Sequence, residues 1–309
     1  MLYTTLSRLD ATLYPVRLLT AIFGYNRYFL LRNAVESFFA FGPQGDLLLV
    51  DDGSDDRRIV EYLASIEERP GVTVMRTDRT GSGYHGGLYA NMNRAIDHAV
   101  AGGYSHVFFA QDDVQFLWRD PRFLERAETV FEAYPKVSIV VPFFFRAINI
   151  HRVRARYVPE QSVGVWRDPN YGIIDQGVMR VSLIREKGWR FRESENANSA
   201  AWKEWGYCLA FLRDPTVGFV PWPQAWRGKQ LQGRERKPKR EFFLKPLSQE
   251  QIEKLQSLPL SEFPLHEDFC LPWGWWCRTP YWFVPDRREY RTMLKEVKGR
   301  RWFPWLRAS

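Results

Sequence analysis

Short apolar runs and helix-spaced segments take turns along the first half of the chain, and this alternation limits the folds open to it. Val16 to Phe23 is a β-rich run closed by Gly24-Tyr25-Asn26, and helical spacing follows from Phe29 to Ala40. The pattern recurs at Asp46 to Val50 with Arg57 to Glu68, and at Val72 to Arg76 with Leu88 to Val100. It appears again at His106 to Ala110 with Pro121 to Tyr134, before a further run at Val137 to Val141. Successive βα units predict a largely parallel sheet covered by helices on both faces, with ligands bound by loops at the carboxyl ends of the strands. Two of those strand ends carry adjacent aspartates, Asp51-Asp52 and Asp112-Asp113. Neighbouring carboxylates repel, so such pairs are held most readily where a divalent cation or hydrogen-bond donors offset the charge. Taken singly, each pair reads equally well as turn and N-cap residues. Their common position on one edge of the expected sheet points to a site.

The second half is less regular, with a strand expected near Gly177 to Val181, a helix near Ala200 to Arg213 and a strand at Val217 to Pro221. From Trp226 to Lys245 eight basic residues stand against two acidic ones, a net +6 of the chain's +8. Such a segment meets phosphates, in a nucleotide, a nucleic acid or an anionic membrane, or is a solvated loop. The chain accordingly divides into a main domain over residues 1–225 and, over 226–309, a basic loop and an aromatic-rich extension with Trp273, Trp275, Trp276, Trp282 and Phe283.

Other classes are excluded by composition. With 309 residues, 45% of them hydrophobic, the chain can bury a sizeable core. It holds no run approaching the ~20 apolar residues of a spanning helix, and its first residues lack a signal-peptide pattern, so a cytoplasmic protein is expected. Three cysteines without CxxC spacing argue against a disulfide framework or a structural zinc site. Gly81-Ser82-Gly83-Tyr84-His85-Gly86 matches GxGxxG between a strand and a helix. It lies in the third βα unit rather than the first, however, and twenty positions beyond Gly86 stands His106 instead of an acid, which weakens a dinucleotide reading.

Four segments taken in order resemble glycosyltransferase family 2: Thr20-Ala21-Ile22-Phe23-Gly24-Tyr25-Asn26-Arg27, Leu49-Val50-Asp51-Asp52-Gly53-Ser54, Gly86 through Ala95, and Phe108-Phe109-Ala110-Gln111-Asp112-Asp113. The resemblance covers roughly residues 16 to 221. It implies a GT-A fold, with a mostly parallel, Rossmann-like sheet flanked by helices. It further implies an inverting transfer from a nucleotide-sugar donor, most readily a UDP-sugar, to a hydroxyl of a glycan, lipid-linked or other acceptor. By position it gives Gly24, Tyr25 and Arg27 to the nucleotide's surroundings, and Asp52, supported by Asp51, to the base. Gly86, Asn91 and Arg94 would border the ribose and pyrophosphate, Asp112 would reach the ribose or sugar, and Asp113 would bind Mn²⁺ or Mg²⁺. The family's usual aspartate at the position of Ala110 is missing, which leaves one carboxylate fewer. Glu204 is the one carboxylate in the stretch matching the family's base motif, Asp175 competes for that role, and Glu193 and Glu195 are expected to face solvent. His266 is read as a structural histidine in preference to a late metal ligand.

Acceptor deprotonation needs a single carboxylate base, and a divalent ion can stabilise the leaving diphosphate. Two other readings stay open: a nucleotidyltransferase of related α/β fold, and a nucleic-acid-binding module, which would leave both aspartate pairs without purpose. No nucleic-acid partner is expected, and peripheral contact with the inner face of a membrane is left open by the basic and Trp-rich segments.

Overall fold

The computed structural model describes residues 17–78, 87–145, 155–158, 165–220 and 244–270. The first half follows the expected alternation: β1 (Leu18–Gly24), α1 (Tyr28–Phe41), β2 (Asp46–Asp51), α2 (Arg57–Glu67), β3 (Val72–Arg76), α3 (Leu88–Ala101), β4 (His106–Gln111), β5 (Val114–Phe116), α4 (Phe123–Ala133) and β6 (Val137–Val141). The second half adds β7 (Arg156–Val158), β8 (Val165–Asp168), β9 (Gly177–Arg180), α5 (Val181–Glu186), α6 (Glu195–Glu204), β10 (Cys208–Leu212), β11 (Val217–Phe219), α7 (Gln249–Ser257) and α8 (His266–Phe269).

One sheet runs in the order β3-β2-β1-β4-β9-β6-β10-β8-β7. Strands β1 to β4 are parallel, as are β6 and β10, but β9 enters antiparallel between β4 and β6, and β8 and β7 continue antiparallel. The sheet is therefore parallel in two blocks. β1 is buried along its whole length, which is why it reads as one continuous apolar run.

The helix expected from Ala200 to Arg213 is instead a helix and a strand. Ser194 caps α6 by accepting the Ala197 N–H at 3.2 Å. The helix ends at Trp205, and Gly206 then adopts the left-handed conformation at φ 76° that favours glycine. The apolar residues that follow form β10, paired with β6 on one side and β8 on the other. A short run such as Leu209-Ala210-Phe211-Leu212 fits either period, and strand pairing decides it.

A two-stranded ribbon, β5 with β11, stands beside the sheet directly after Asp113. Residues 244–270 pack against it. The Gln115 side chain, 4% exposed, donates to the Leu244 carbonyl at 2.6 Å and accepts the Leu244 N–H at 2.9 Å, replacing a strand partner with an amide. The Leu247 N–H donates to the Leu117 carbonyl at 2.9 Å. Leu117, Trp118, Phe144, Leu244, Leu247, Leu255 and Phe269 form a second apolar cluster there. No described helix is long and apolar enough to cross a membrane.

At the opposite, amino edge, Glu128 of α4 faces His106 of β4 and Arg180 of β9, and Arg180 Nε donates to it at 3.0 Å. Burial raises the Glu128 pKa, but the hydrogen bonds from His106 and Arg180 outweigh it and hold it at about 2, below its ordinary 4.5. A depressed carboxylate stabilises the fold above the unfolded pKa and loses that contribution as pH falls through the folded one. At about 1.4 kcal/mol per unit the pairing contributes up to about 3 kcal/mol. Glu128→Gln is expected to lower unfolding free energy at pH 7 by about 2–3 kcal/mol, and to flatten the loss of stability between about pH 4.5 and 2, as read by urea titration across that range.

Candidate functional site

The carboxyl edge of β1, β2 and β4 is tied together by its own loops. Asn26, after β1, takes φ 49° and is 4% exposed. Its N–H donates to Ser54 Oγ at 2.9 Å, and its Oδ1 accepts the N–H groups of Asp55 and Asp56 at 3.0 and 3.2 Å. A short polar side chain that tolerates left-handed backbone and can receive two amides suits this position. The Asp52 N–H donates to the Gly24 carbonyl and the Asp112 N–H to the Phe23 carbonyl, which extends β1's pairing past the ends of both neighbours.

Both aspartates ending β2 are buried and engaged. Asp51 accepts the Ser54 N–H at 3.1 Å, the Ser54 hydroxyl, and Arg76 Nε at 3.2 Å. Asp52 accepts the Gly87 N–H and Asn91 Nδ2, each at 2.9 Å, so it holds the N-terminus of α3, where the helix dipole favours a negative charge. Asn91 Oδ1 in turn accepts from Thr77 Oγ1 at 3.2 Å and Arg94 Nη1 at 2.7 Å. The expected nucleotide-binding residues Asp51, Asp52, Asn91 and Arg94 thus form one connected network.

The second pair divides differently. Arg27 and Asp112, with side chains 5% and 1% exposed, form a two-pronged ion pair: Nε to Oδ2 at 2.9 Å, and Nη2 to Oδ1. Arg27 from the first loop thereby meets the carboxylate expected to reach ribose or sugar. Asp113 is half-buried, and its Oδ1 is buried with no hydrogen-bond partner among the described residues. Ala110, where the family carries aspartate, is fully buried on β4.

Because β9 runs antiparallel from Gly177 opposite Phe109, the residue two before it, Asp175, arrives at the same edge. Gln111 Nε2 donates to Asp175 Oδ2 at 3.0 Å. Burial first, then the charges of Glu195 and Asp113, push the Asp175 carboxyl up to about 7. Glu195 is exposed in the first turn of α6. Tyr89 of α3 is raised by burial and then by Asp175 and Glu195, which places all three in one neighbourhood. Asn93 fixes the approach to α6 by pairing both faces of its amide with the backbone of Phe191, at 3.0 and 2.7 Å.

Glu204 is not brought to this edge. It is exposed at the far end of α6, nine residues or about 13 Å along the helix from Glu195. The strand that follows starts with Cys208 paired to Val137, the first residue of β6, so Glu204 belongs to the amino edge. Its selection in sequence rested on the stretch matching the family's base motif. Glu195, expected to face solvent, does so beside Asp175. The buried His266 directs Nε2 to the Phe219 carbonyl at 3.0 Å, in the ribbon that follows Asp113. Gly24 ends β1, and Tyr25 follows it half-buried. Gly86 and its glycine loop, His85, the basic residues 226–243 and the tryptophans beyond 270 lie outside the described residues. Gln111 and Arg76 were missed by sequence reading; their positions at strand ends beside acidic residues were the available signal.

No family model and no curated protein matches the chain. Solved structures do match. GalNAc-T7 with UDP, GalNAc and Mn²⁺ is 15% identical over 69% of this chain and 45% of its own, with a TM-score of 0.52. The mannosyltransferase PcManGT from Pyrobaculum calidifontis, in complex with GDP-Man and Mn²⁺, is 18% identical over 68% and 59%, at 0.47. TarS 1-349 of S. aureus in complex with UDP is 14% identical over 66% and 60%, at 0.45. The chain spans less than two thirds of each of these proteins. The likeness to GalNAc-T7 carries the fold, which is a GT-A glycosyltransferase fold. Activity does not follow from fold and is argued from the site.

Removing one partner of a buried ion pair strands the other's charge, at about 3–5 kcal/mol. Arg27→Met is expected to destabilise the protein by that amount in urea unfolding, and Arg27→Met with Asp112→Leu to recover most of the loss.

Proposed function

We propose that this protein is an inverting, metal-dependent glycosyltransferase, moving a sugar from a nucleotide-sugar donor, a UDP-sugar in the first instance, to an acceptor hydroxyl. The observation that carries this reading is the arrival of Asp175 against Gln111 at the carboxyl end of β4, two residues before Asp113, a buried oxygen of which has no hydrogen bond among the described residues. That oxygen suits a hard cation. Mg²⁺ is commonly bound through one or two carboxylates plus substrate phosphates, and the described residues hold no cluster of three His, Cys, Asp or Glu for a metal. Asp113 would hold the ion, which when bound supplies charge stabilisation to the departing diphosphate.

The rest falls to the chain's own groups. The Asp51–Asp52 network and Arg94 line the nucleotide's side of the edge. The Arg27–Asp112 pair presents a nearly neutral wall where an unpaired carboxylate would repel the donor's phosphates. Asp175 takes the proton from the acceptor hydroxyl as its oxygen attacks the anomeric carbon from the face opposite the leaving group. A base is most effective with a pKa near the working pH, and Asp175 is raised in that direction. Glu195, at the solvent side, borders the acceptor.

Calorimetric titration with UDP and GDP, with and without Mn²⁺, is expected to show manganese-dependent binding of a diphosphate that Asp113→Ala abolishes; no diphosphate binding under any condition would overturn the reading. Asp175→Asn is expected to lower kcat by about 10²–10⁴-fold with donor KM little changed, whereas Glu195→Gln acts on acceptor KM. The reverse pattern would move the base to Glu195.

A further inference from the structure

Strands β1, β2 and β3 step in one direction across the sheet, so right-handed crossovers set α1 and α2 side by side on one face. A groove of about 450 Å³ lies between the two helices. Tyr28, Arg32 and Glu36 line it from α1, Tyr62 and Ile66 from α2, and Arg69 from the turn after α2. The rings of Tyr28 and Tyr62 meet edge to face with centroids 6.1 Å apart, and with the buried Ile66 they give the groove apolar surface. None of these residues belongs to the network at the carboxyl edge.

The acidic side chains of the groove are already engaged. Glu36 Oε1 accepts the Tyr62 hydroxyl at 2.9 Å, and Glu61 accepts Arg57 Nε at 2.6 Å. Burial first, then the hydrogen bond to Glu36, push the Tyr62 phenol well above its ordinary range, so it stays a donor to that carboxylate. Arg58 is spent on Asp56, at 3.0 and 2.6 Å, with its guanidinium over the Tyr28 ring. Arg32 and Arg69 differ from it in that neither forms an ion pair among the described residues. Arg32 Nη1 donates to the Tyr28 hydroxyl at 3.4 Å, and the Arg69 guanidinium lies over the Phe39 ring at 4.4 Å. The Arg69 backbone is held on both sides, its N–H on the Ile66 carbonyl and its carbonyl on the Val72 N–H, each at 3.1 Å. Both charges act on the Tyr62 phenol, which sets them around one ring.

A guanidinium carries five N–H donors in a fixed fork, and on Arg32 and Arg69 most of them are unspent among the described residues. Such a fork matches an oxyanion. A carboxylate offers two oxygens on one edge. A phosphate monoester offers three terminal oxygens and a charge of about −1.5 to −2, which lets it serve two guanidiniums at once. The groove is larger than bare phosphate needs and falls within the ~300–1,000 Å³ of small-molecule sites, with tyrosine rings and Ile66 to take an organic body.

We propose that the groove between α1 and α2 binds a small phosphate monoester, its phosphate held by Arg32 and Arg69 and its organic part laid along Tyr28, Tyr62 and Ile66. This ligand is separate from the donor at the carboxyl edge, and its binding does not depend on the transfer chemistry.

The test is calorimetric titration of the full chain, free of divalent metal, with phenyl phosphate, inorganic phosphate and benzoate. Arg32→Gln, Arg69→Gln and Arg190→Gln are titrated alongside, each checked by thermal melting. Arg190 is exposed and paired with Asp97 of α3; α3 crosses back from β3 to β4 and so lies on the opposite face, which makes this variant a control for lost charge. Phenyl phosphate is expected to bind the native chain about 10-fold or more tightly than inorganic phosphate or benzoate. Arg32→Gln and Arg69→Gln are each expected to weaken it about 10- to 100-fold, as loss of a charged hydrogen bond does, and Arg190→Gln by less than about threefold. Absence of saturable phenyl phosphate binding, or equal binding of benzoate or inorganic phosphate, would overturn the proposal. So would native affinity in Arg32→Gln or Arg69→Gln, or an equal loss in Arg190→Gln, which is what net charge alone would give. If Arg69→Gln does not fold, Arg32→Gln decides alone.

Discussion

A guanidinium and a carboxylate that meet almost out of water hold the working edge of this protein together. Desolvating such ions costs several kcal/mol each, and the pairing is tolerable when the geometry lets both prongs close. Arg27 and Asp112 achieve that, coming from loops 85 residues apart. With Arg27 fixed, the neighbouring Asn26 is in place to receive the amides of Asp55 and Asp56, and β1, β2 and β4 end in one mutually supported rim. The Asp51–Asp52 side of the rim and the Asp112–Asp113 side are then two halves of one scaffold.

The two aspartate pairs resolve their internal repulsion in different ways. After β2, both carboxylates are satisfied by the chain, one by a serine turn and an arginine, the other by the start of α3. After β4, one carboxylate is neutralised by Arg27 while its neighbour keeps a buried oxygen without a partner among the described residues. A pattern of letters that looks alike in sequence thus serves structure in one place and leaves reactive capacity in the other. The unspent hydrogen-bonding capacity of the second pair rests on Asp113, while Asp175, brought to the same edge by β9, is engaged by Gln111.

The order of strands and helices up to β6 was legible because buried parallel strands read as unbroken apolar runs and the intervening helices keep their spacing. β5, β7 and β8 are three or four residues long and left no periodic trace. The segment after Glu195 was misread because Leu209 to Leu212 satisfies a helical spacing as well as an extended one, and its partners β6 and β8 lie far off in sequence. The placement of Glu195, and the antiparallel entry that delivers Asp175, depend on topology, which residue order alone does not encode. The members of the site were visible as types; which carboxylate would be paired and which left open was set by contacts such as Arg27 with Asp112.

Gln115 reaches across 129 residues to clasp the backbone of Leu244. The sheet's first block is assembled from βα units whose neighbours follow closely in sequence, so it can condense early, whereas the ribbon next to Asp113 waits for chain made much later. Loop closure over such a span is slow relative to local pairing. During synthesis at ~5–20 residues per second, the rim built on Asp51 and Asp52 would be made several seconds or more before the ribbon finds its last strand-like neighbour. The ribbon therefore completes its pairing last, and a ribosome-bound chain stopped short of Leu244 would present a Gln115 amide that has not yet met its partner.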